Sequence, residues 1–149
     1  VNSSQLTGIM PKKTKFIQLK KIFEILHGPK GCLWDKKQTH KTLIPYLMEE
    51  AKELTHALRS GNCCHIKEEL GDVLLQVMLH AQIASKGGSF DIEDVIEGLI
   101  KKIERRHPHV FGKIKVKSVR EIKANWKKIK IQEKKEQTKN PESIGAFRR

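Results

Sequence analysis

Aromatic residues are scarce in this chain, 5% of 149 residues, and hydrophobic residues as a whole reach only 38%. So lean a composition approaches that of disordered chains. The apolar residues are concentrated in the middle of the sequence, however, and suffice there for one core. No apolar run nears the ~18 residues needed to cross a bilayer, so no membrane partner is expected. The N-terminal stretch 1–16 is polar and Lys-rich with no apolar block behind it, and no secretory leader is expected. Cysteine is rare and odd in number: Cys32, Cys63 and Cys64. Such a set makes no disulfide framework, and a reducing cytoplasm is the expected compartment. Negative charge is the scarce sign, with 17 Asp+Glu against 30 Lys+Arg and a formal net charge of +13.

What acid there is gathers in one place. Residues 41–80 carry six carboxylates against four Lys/Arg, between flanks of net charge +6 and +9. A uniformly basic nucleic-acid binder has no use for that block, whereas a site that holds a cation inside a basic frame does. The frame itself favours an anionic ligand, either nucleic acid or a free phosphate compound.

Alternating strand patterns are also missing, with 110–116 the one short candidate, and no solenoid repeat appears. Helical periodicity takes their place. Phe16, Leu19, Ile22, Phe23 and Leu26 predict a first helix over 15–27, broken by Gly28, Pro29 and Gly31. A loop is expected through Gln38. The second helix is predicted from Thr39 to Arg59, with Pro45 moving its true start towards Thr42 or Ile44 and Gly61–Asn62 ending it. The third, 65–86, is apolar on most faces, which marks a helix central to the fold or buried in an oligomer. Asp91 and Asp94 open a fourth to Arg106. Ser118 with Glu121 opens a basic fifth over 119–136. The expected fold class is all-α, a bundle of about five helices. Residues 15–136 form the domain, between an N-terminal tail (1–14) and a C-terminal tail (137–149).

The carboxylates carry the chemistry. Glu49, Glu50 and Glu53 on the second helix, and Glu68, Glu69 and Asp72 on the third, both have the spacing i, i+1, i+4. Each trio fits within a 100° arc. Leu43, Leu47, Leu54 and Leu58 form an apolar stripe, and Glu50 projects only about 20° from its edge, so these acids are expected to be partly buried. One such trio is usually a solvated face with i, i+4 partners. Two matching trios on neighbouring apolar helices point instead to a bound cation, since close carboxylates in a low-dielectric edge repel. Oxygen-only ligands favour Mg²⁺, with Mn²⁺ as a substitute. Glu53-Leu-Thr-His56 fits the Glu-x-x-His motif of di-iron bundles, but the second set, Glu69-Leu-Gly-Asp72, has no His, which counts against iron.

Lys102, Arg105 and Arg106 share a helix face at i, i+3, i+4, an arrangement suited to polyphosphate, although cations at a helix C-terminus also answer its dipole. His107 and His109 around Pro108 read more readily as hydrogen-bonded structure than as ligands. Trp34 and Trp126 can be core or can stack on a base, and spacing does not decide.

The strings Gly31-Cys-Leu-Trp34-Asp35-Lys-Lys-Gln38, Tyr46-Leu-Met-Glu49-Glu50-Ala-Lys-Glu53, Glu68-Glu69-Leu-Gly-Asp72 and Arg105-Arg106-His-Pro-His-Val-Phe-Gly112, with the late Trp126, together resemble the MazG family of nucleoside triphosphate pyrophosphohydrolases. The resemblance runs from about Leu19 to Glu133. One MazG-like domain is present where many family members carry two in tandem, and Leu33 stands where a Pro commonly precedes the Trp. The resemblance implies hydrolysis of a nucleoside triphosphate to the monophosphate and pyrophosphate, in a helical homodimer or higher oligomer. It implies Mg²⁺ held by Glu50, Glu53, Glu69 and Asp72, triphosphate contacts from Lys102, Arg105 and Arg106, and Trp126 near the nucleotide. Tyr46, His65, Lys67 and Glu68 would line the same pocket. Glu49, Glu50 and Glu53 are the expected catalytic carboxylates, with Glu49 or Glu53 as the base. The alternative is a non-enzymatic basic helical module that binds nucleic acid or a protein partner. It leaves the central acids unexplained, and nucleic acid is the less favoured partner.

Overall fold

Six helices and no strand occupy the residues described by the computed structural model, 14–139: α1 (Lys15–Leu26), α2 (Leu33–Lys37), α3 (Ile44–Ser60), α4 (Cys63–Lys86), α5 (Ile92–Arg106) and α6 (Val119–Lys139). The all-α expectation holds, with one helix more than the five foreseen. Residues 1–13 and 140–149, most of the two expected tails, lie outside the described residues. The C-terminal tail was expected from 137, but 137–139 are still helical.

The extra helix is α2, expected as loop. Its five residues are too few for apolar periodicity to register, and its N-cap, Cys32, makes no side-chain cap bond. A backbone turn at the end of α1 precedes it instead. The chain folds back on the end of α1, where the Cys32 N–H donates to Leu26 O at 2.8 Å. A Cβ on Gly31 would collide with that same carbonyl oxygen, so only glycine allows the approach. The strand candidate at 110–116 is irregular chain: the Val110 and Phe111 N–H groups both donate to His107 O, closing a turn.

The described chain divides into two compact units, residues 14–95 and 96–139. The core lies in the first. Phe23 of α1, Leu43 just before α3, Ala57 of α3, Met78, Leu79, Ala81 and Ala84 of α4 and Ile92 at the start of α5 are all buried. Helix α4 is central only along its C-terminal half. Leu70, Leu74, Leu75 and Val77 remain exposed, so its apolar sequence reflects two different surroundings. In the second unit no described residue is fully buried, and Leu99, Ile100 and Ile103 of α5 are exposed.

Capping fixes the helix starts. Asp91 accepts from the Glu93 and Asp94 N–H groups at 2.7 and 3.1 Å, while Asp94 accepts from the Asp91 N–H, the reciprocal arrangement expected. At α6 the Glu121 N–H donates to Ser118 Oγ, but Glu121 itself accepts from the Lys117 N–H, one residue earlier than a capping box places it.

Candidate functional site

Helices α3 and α4 form an antiparallel hairpin whose connection is two residues long. Gly61 ends α3 in the left-handed region (φ 68°), and Asn62 opens α4 by accepting from the Cys64 and His65 N–H groups at 3.0 and 3.2 Å. So short a turn sets the register. In an antiparallel pair, residues facing one another have a nearly constant number sum, and a turn made of Gly61 and Asn62 sets that sum at 123, to within a residue. Glu50 therefore faces Asp72, and Glu53 faces Glu69.

The electrostatics follow this pairing. The Glu50 carboxyl is pushed above its ordinary range first by burial, then by the charges of Asp72, Glu53, Glu69 and Glu49. The Glu69 carboxyl is raised by burial, then by Glu53, Asp72 and Glu68, with His65 opposing. In each case the nearest-acting carboxylate is the residue opposite on the other helix. One oxygen each from Glu50, Glu69 and Asp72 lies within 4.8 Å of the others, and all three residues are half-buried. Glu69 Oε2 is buried with no hydrogen-bond donor among the described residues. One turn beyond Asp72, Gln76 is buried and its Oε1 likewise has no partner there. Acids gathered with no ion pair among the described residues, one with an orphaned oxygen, fit a hard divalent cation.

Beside the acids is a cavity of ≈350 Å³ lined by Glu49, Lys52, Glu53, His56, Ala57, His65 and Glu69. It brings the expected Glu49, Glu53, His65 and Glu69 to one wall. In the sequence His56 reads only as a candidate iron ligand, and Lys52 is not singled out. The structure adds both to that wall, and the i+3 spacing of His56 from Glu53 was the signal for a shared face. Lys67 and Glu68 are exposed on α4 outside the lining. Tyr46 is exposed too, packed edge-on against Trp34 with ring centroids 5.6 Å apart.

Lys102, Arg105, Arg106 and Trp126 belong to the second unit. Their surroundings differ from the free cationic face read from the sequence. Both guanidiniums close on Glu133 of α6, Arg105 Nη2 at 2.7 Å and Arg106 Nη2 at 2.6 Å. Hydrogen bonds, from Arg106 foremost and then Arg105, pull the Glu133 carboxyl down to about 2 against a burial that pushes it up. Glu133 was not foreseen as a site residue. Trp126 packs edge-on against His107, and its Nε1–H is buried without an acceptor among the described residues. His107 Nδ1 lies 2.7 Å from Ile103 O, the structural role expected of it.

Residues 38–111 match the MazG nucleotide pyrophosphohydrolase domain. The chain belongs to the MazG family. It is 54% identical over 119 residues to a nucleoside triphosphate pyrophosphohydrolase/pyrophosphatase MazG of Thermotoga maritima, covering 80% of this chain and 45% of that protein. It is 40% identical over 114 residues to the nucleoside triphosphate pyrophosphohydrolase of Escherichia coli, covering 76% of this chain and 43% of the relative. With an uncharacterized protein of Bacillus subtilis it shares 51% identity over 80% of its own length and 24% of the relative's. The chain thus spans less than half the length of these curated relatives. Among solved structures, a crystal structure of a mazG-related protein from Thermotoga maritima matches at TM-score 0.60 and 29% identity, over 74% of this chain and 97% of that one. The MazG domain spans both acid trios and the arginine run. Among the described residues no helix is long and apolar enough to cross a membrane.

Proposed function

We propose that this MazG chain is a Mg²⁺-dependent nucleoside triphosphate pyrophosphohydrolase, releasing pyrophosphate and the nucleoside monophosphate. The observation that carries the reading is the carboxylate cluster of Glu50, Glu69 and Asp72, held within 4.8 Å by a tight helical hairpin and with no ion pair to any of the three among the described residues. With Glu53, opposite Glu69, these residues hold the metal, and Mn²⁺ substitutes for Mg²⁺. When bound, the metal screens the triphosphate oxygens and offsets the charge that develops on them. Glu49 or Glu53, both exposed beside the cavity, takes the proton from water as its oxygen bonds to the α-phosphorus and the bond to the pyrophosphate oxygen breaks. Lys102, Arg105 and Arg106 receive the leaving pyrophosphate. Tyr46, His65, Lys67, Glu68 and Trp126 surround the nucleotide.

Residues 15–136 act as one MazG-like domain in a homodimer or higher oligomer, with a four-helix core completed by association. The exposed Leu70, Leu74 and Val77 on α4, at i, i+4 and i+7, support this as one uncovered apolar stripe. The free thiols Cys32, Cys63 and Cys64 agree with a cytoplasmic site of action.

The test is pyrophosphate release from a panel of ribo- and deoxynucleoside triphosphates with and without Mg²⁺. Release that requires Mg²⁺, with the monophosphate as co-product, supports the reading, whereas orthophosphate release removes attack at the α-phosphorus. One observation favours the binding-module alternative. Arg120, Lys123, Lys127, Lys130 and Lys134 lie within an 80° arc of α6, all exposed and with no ion-pair partner among the described residues. Salt-steep binding to duplex DNA by a protein that turns over no nucleotide would decide for that module.

A further inference from the structure

The arginine run at the end of α5 is held in a way that polyphosphate binding alone does not require. Arg105 donates from Nε to Glu133 Oε1 at 2.7 Å and sets Nη2 on the same oxygen at 2.7 Å. Arg106 donates from Nη2 to Glu133 Oε2 at 2.6 Å, and from Nε at 3.2 Å. Both guanidiniums therefore meet the carboxylate through the same edge. Each retains its Nη1 group and one Nη2 hydrogen, three N–H donors with no partner among the described residues. The side chain of Glu133 is only 12% exposed, against 50% and 28% for the two arginines, so the anion is inside and the cations are outside. The group of three keeps a net positive charge.

The clamp has a second anchor. Trp126 and Glu133 are seven residues apart on α6 and share its half-buried face with Ile122 and Ile129. Trp126 packs on His107, the residue that follows Arg106, with ring centroids 5.2 Å apart. One face of α6 thus braces residues 105–107 at two points and leaves the outer edges of two guanidiniums side by side. A free Arg pays side-chain entropy when it binds an anion, and a clamped one has already lost that freedom.

We propose that Glu133 is a positioning residue. It locks Arg105 and Arg106 into a fixed double fork whose outward N–H groups bind the polyphosphate of the substrate. This rests on the proposed reading that the two arginines meet the triphosphate, and it adds what makes them competent to do so. The opposite role is quenching, in which Glu133 neutralises the arginines and lowers their affinity for anions. The two roles predict opposite signs on removal of the carboxylate.

The experiment measures binding of inorganic tripolyphosphate by titration calorimetry, on the full chain and on Glu133→Gln, with folding checked by circular dichroism. Glutamine has one acceptor oxygen and no charge, so it cannot hold two guanidiniums. The expected result is a dissociation constant weaker by about tenfold or more, as for a charged pair that has lost its anchor. KM for nucleoside triphosphate should rise in step. Mn²⁺ affinity at Glu50, Glu69 and Asp72 should be unchanged, a control that general loosening of the fold would fail. Unchanged or tighter tripolyphosphate binding by folded Glu133→Gln overturns the proposal, as does a wild-type protein that binds no tripolyphosphate. Should Glu133→Gln not fold, Glu133→Asp keeps the ion pair but draws it in by one methylene. Weakened binding in that folded variant supports positioning, and wild-type affinity reduces Glu133 to a clip between helices. A wild-type protein that releases no pyrophosphate, yet binds tripolyphosphate in a Glu133-dependent way, removes the proposed reaction and keeps the positioning role.

Discussion

Replacing Glu50 by Gln should make the metal-free protein more stable and the enzyme inactive, and the structure gives the size of the first effect. One carboxylate oxygen of Glu50 and one of Asp72 lie no more than 4.8 Å apart. Two unit charges at that separation repel by about 0.9 kcal/mol in a water-like dielectric and by about 3.5 kcal/mol at an effective value near 20. Both side chains are half-exposed, so the lower figure is the relevant one, and removing the Glu50 charge should relieve about 1 kcal/mol. For a chain of this size that is a rise in Tm of about 2–4 °C. The sign with pH follows from the raised Glu50 carboxyl. A folded-state value above the unfolded one, ~4.3, means the metal-free fold is penalised at neutral pH and recovers as pH falls towards that value. The stability gain of Glu50→Gln over wild type should therefore be full at pH 7.5 and shrink towards pH 5. Added Mg²⁺ should raise the wild-type Tm and leave the variant nearly unmoved. Differential scanning fluorimetry with and without chelator reads all three, and pyrophosphate release should fall by a factor of about a hundred or more. A Glu50→Gln protein that melts lower than wild type in chelator, or turns over normally, would refute the reasoning that an unneutralised acid cluster is a metal site.

The hairpin turn should be sensitive for its size: Gly61→Ala at φ 68° and Asn62→Ala at the α4 N-cap should each cost about 1 kcal/mol in chemical denaturation. Both should also lower Mn²⁺ affinity, because the turn sets the register of the acids. Glu133, held at about 2, should contribute stability that is full above about 4.3 and disappears as pH falls towards 2, so the melting curves of wild type and Glu133→Gln should converge in that window. His80 sits with its Nδ1 2.8 Å from His40 Nδ1, and burial, then the charge of His40, lowers its pKa. Its wild-type contribution should therefore be lost as pH falls below about 6.5, and His80→Gln should remove that acid loss in a pH series of thermal melts.

The helices could be read from the sequence wherever they were long. Twelve or more residues with apolar spacing placed α1, α3, α4, α5 and α6 to within a few residues, helped by the caps read ahead of α5 and α6 and the glycines behind α1 and α3. Helix α2 could not be read, because five residues complete barely more than one turn and its start is set by contact with Leu26. The acids of the site were legible for a geometric reason. The i, i+1, i+4 spacing gives each helix one acidic face, and the two-residue break at Gly61–Asn62 already encodes that Glu50 meets Asp72 and Glu53 meets Glu69. Local order thus determined the helical class, the hairpin and the acid pairing, all of which depend on neighbours within about twenty-five residues. What only the tertiary structure decided lies further apart. Arg105 and Arg106 meet Glu133 twenty-eight and twenty-seven residues away, across an irregular segment with no periodicity to carry register. A charge pattern says which residues can pair, and only the folded path of the chain says which of the twelve cations from 101 to 130 that single acid holds.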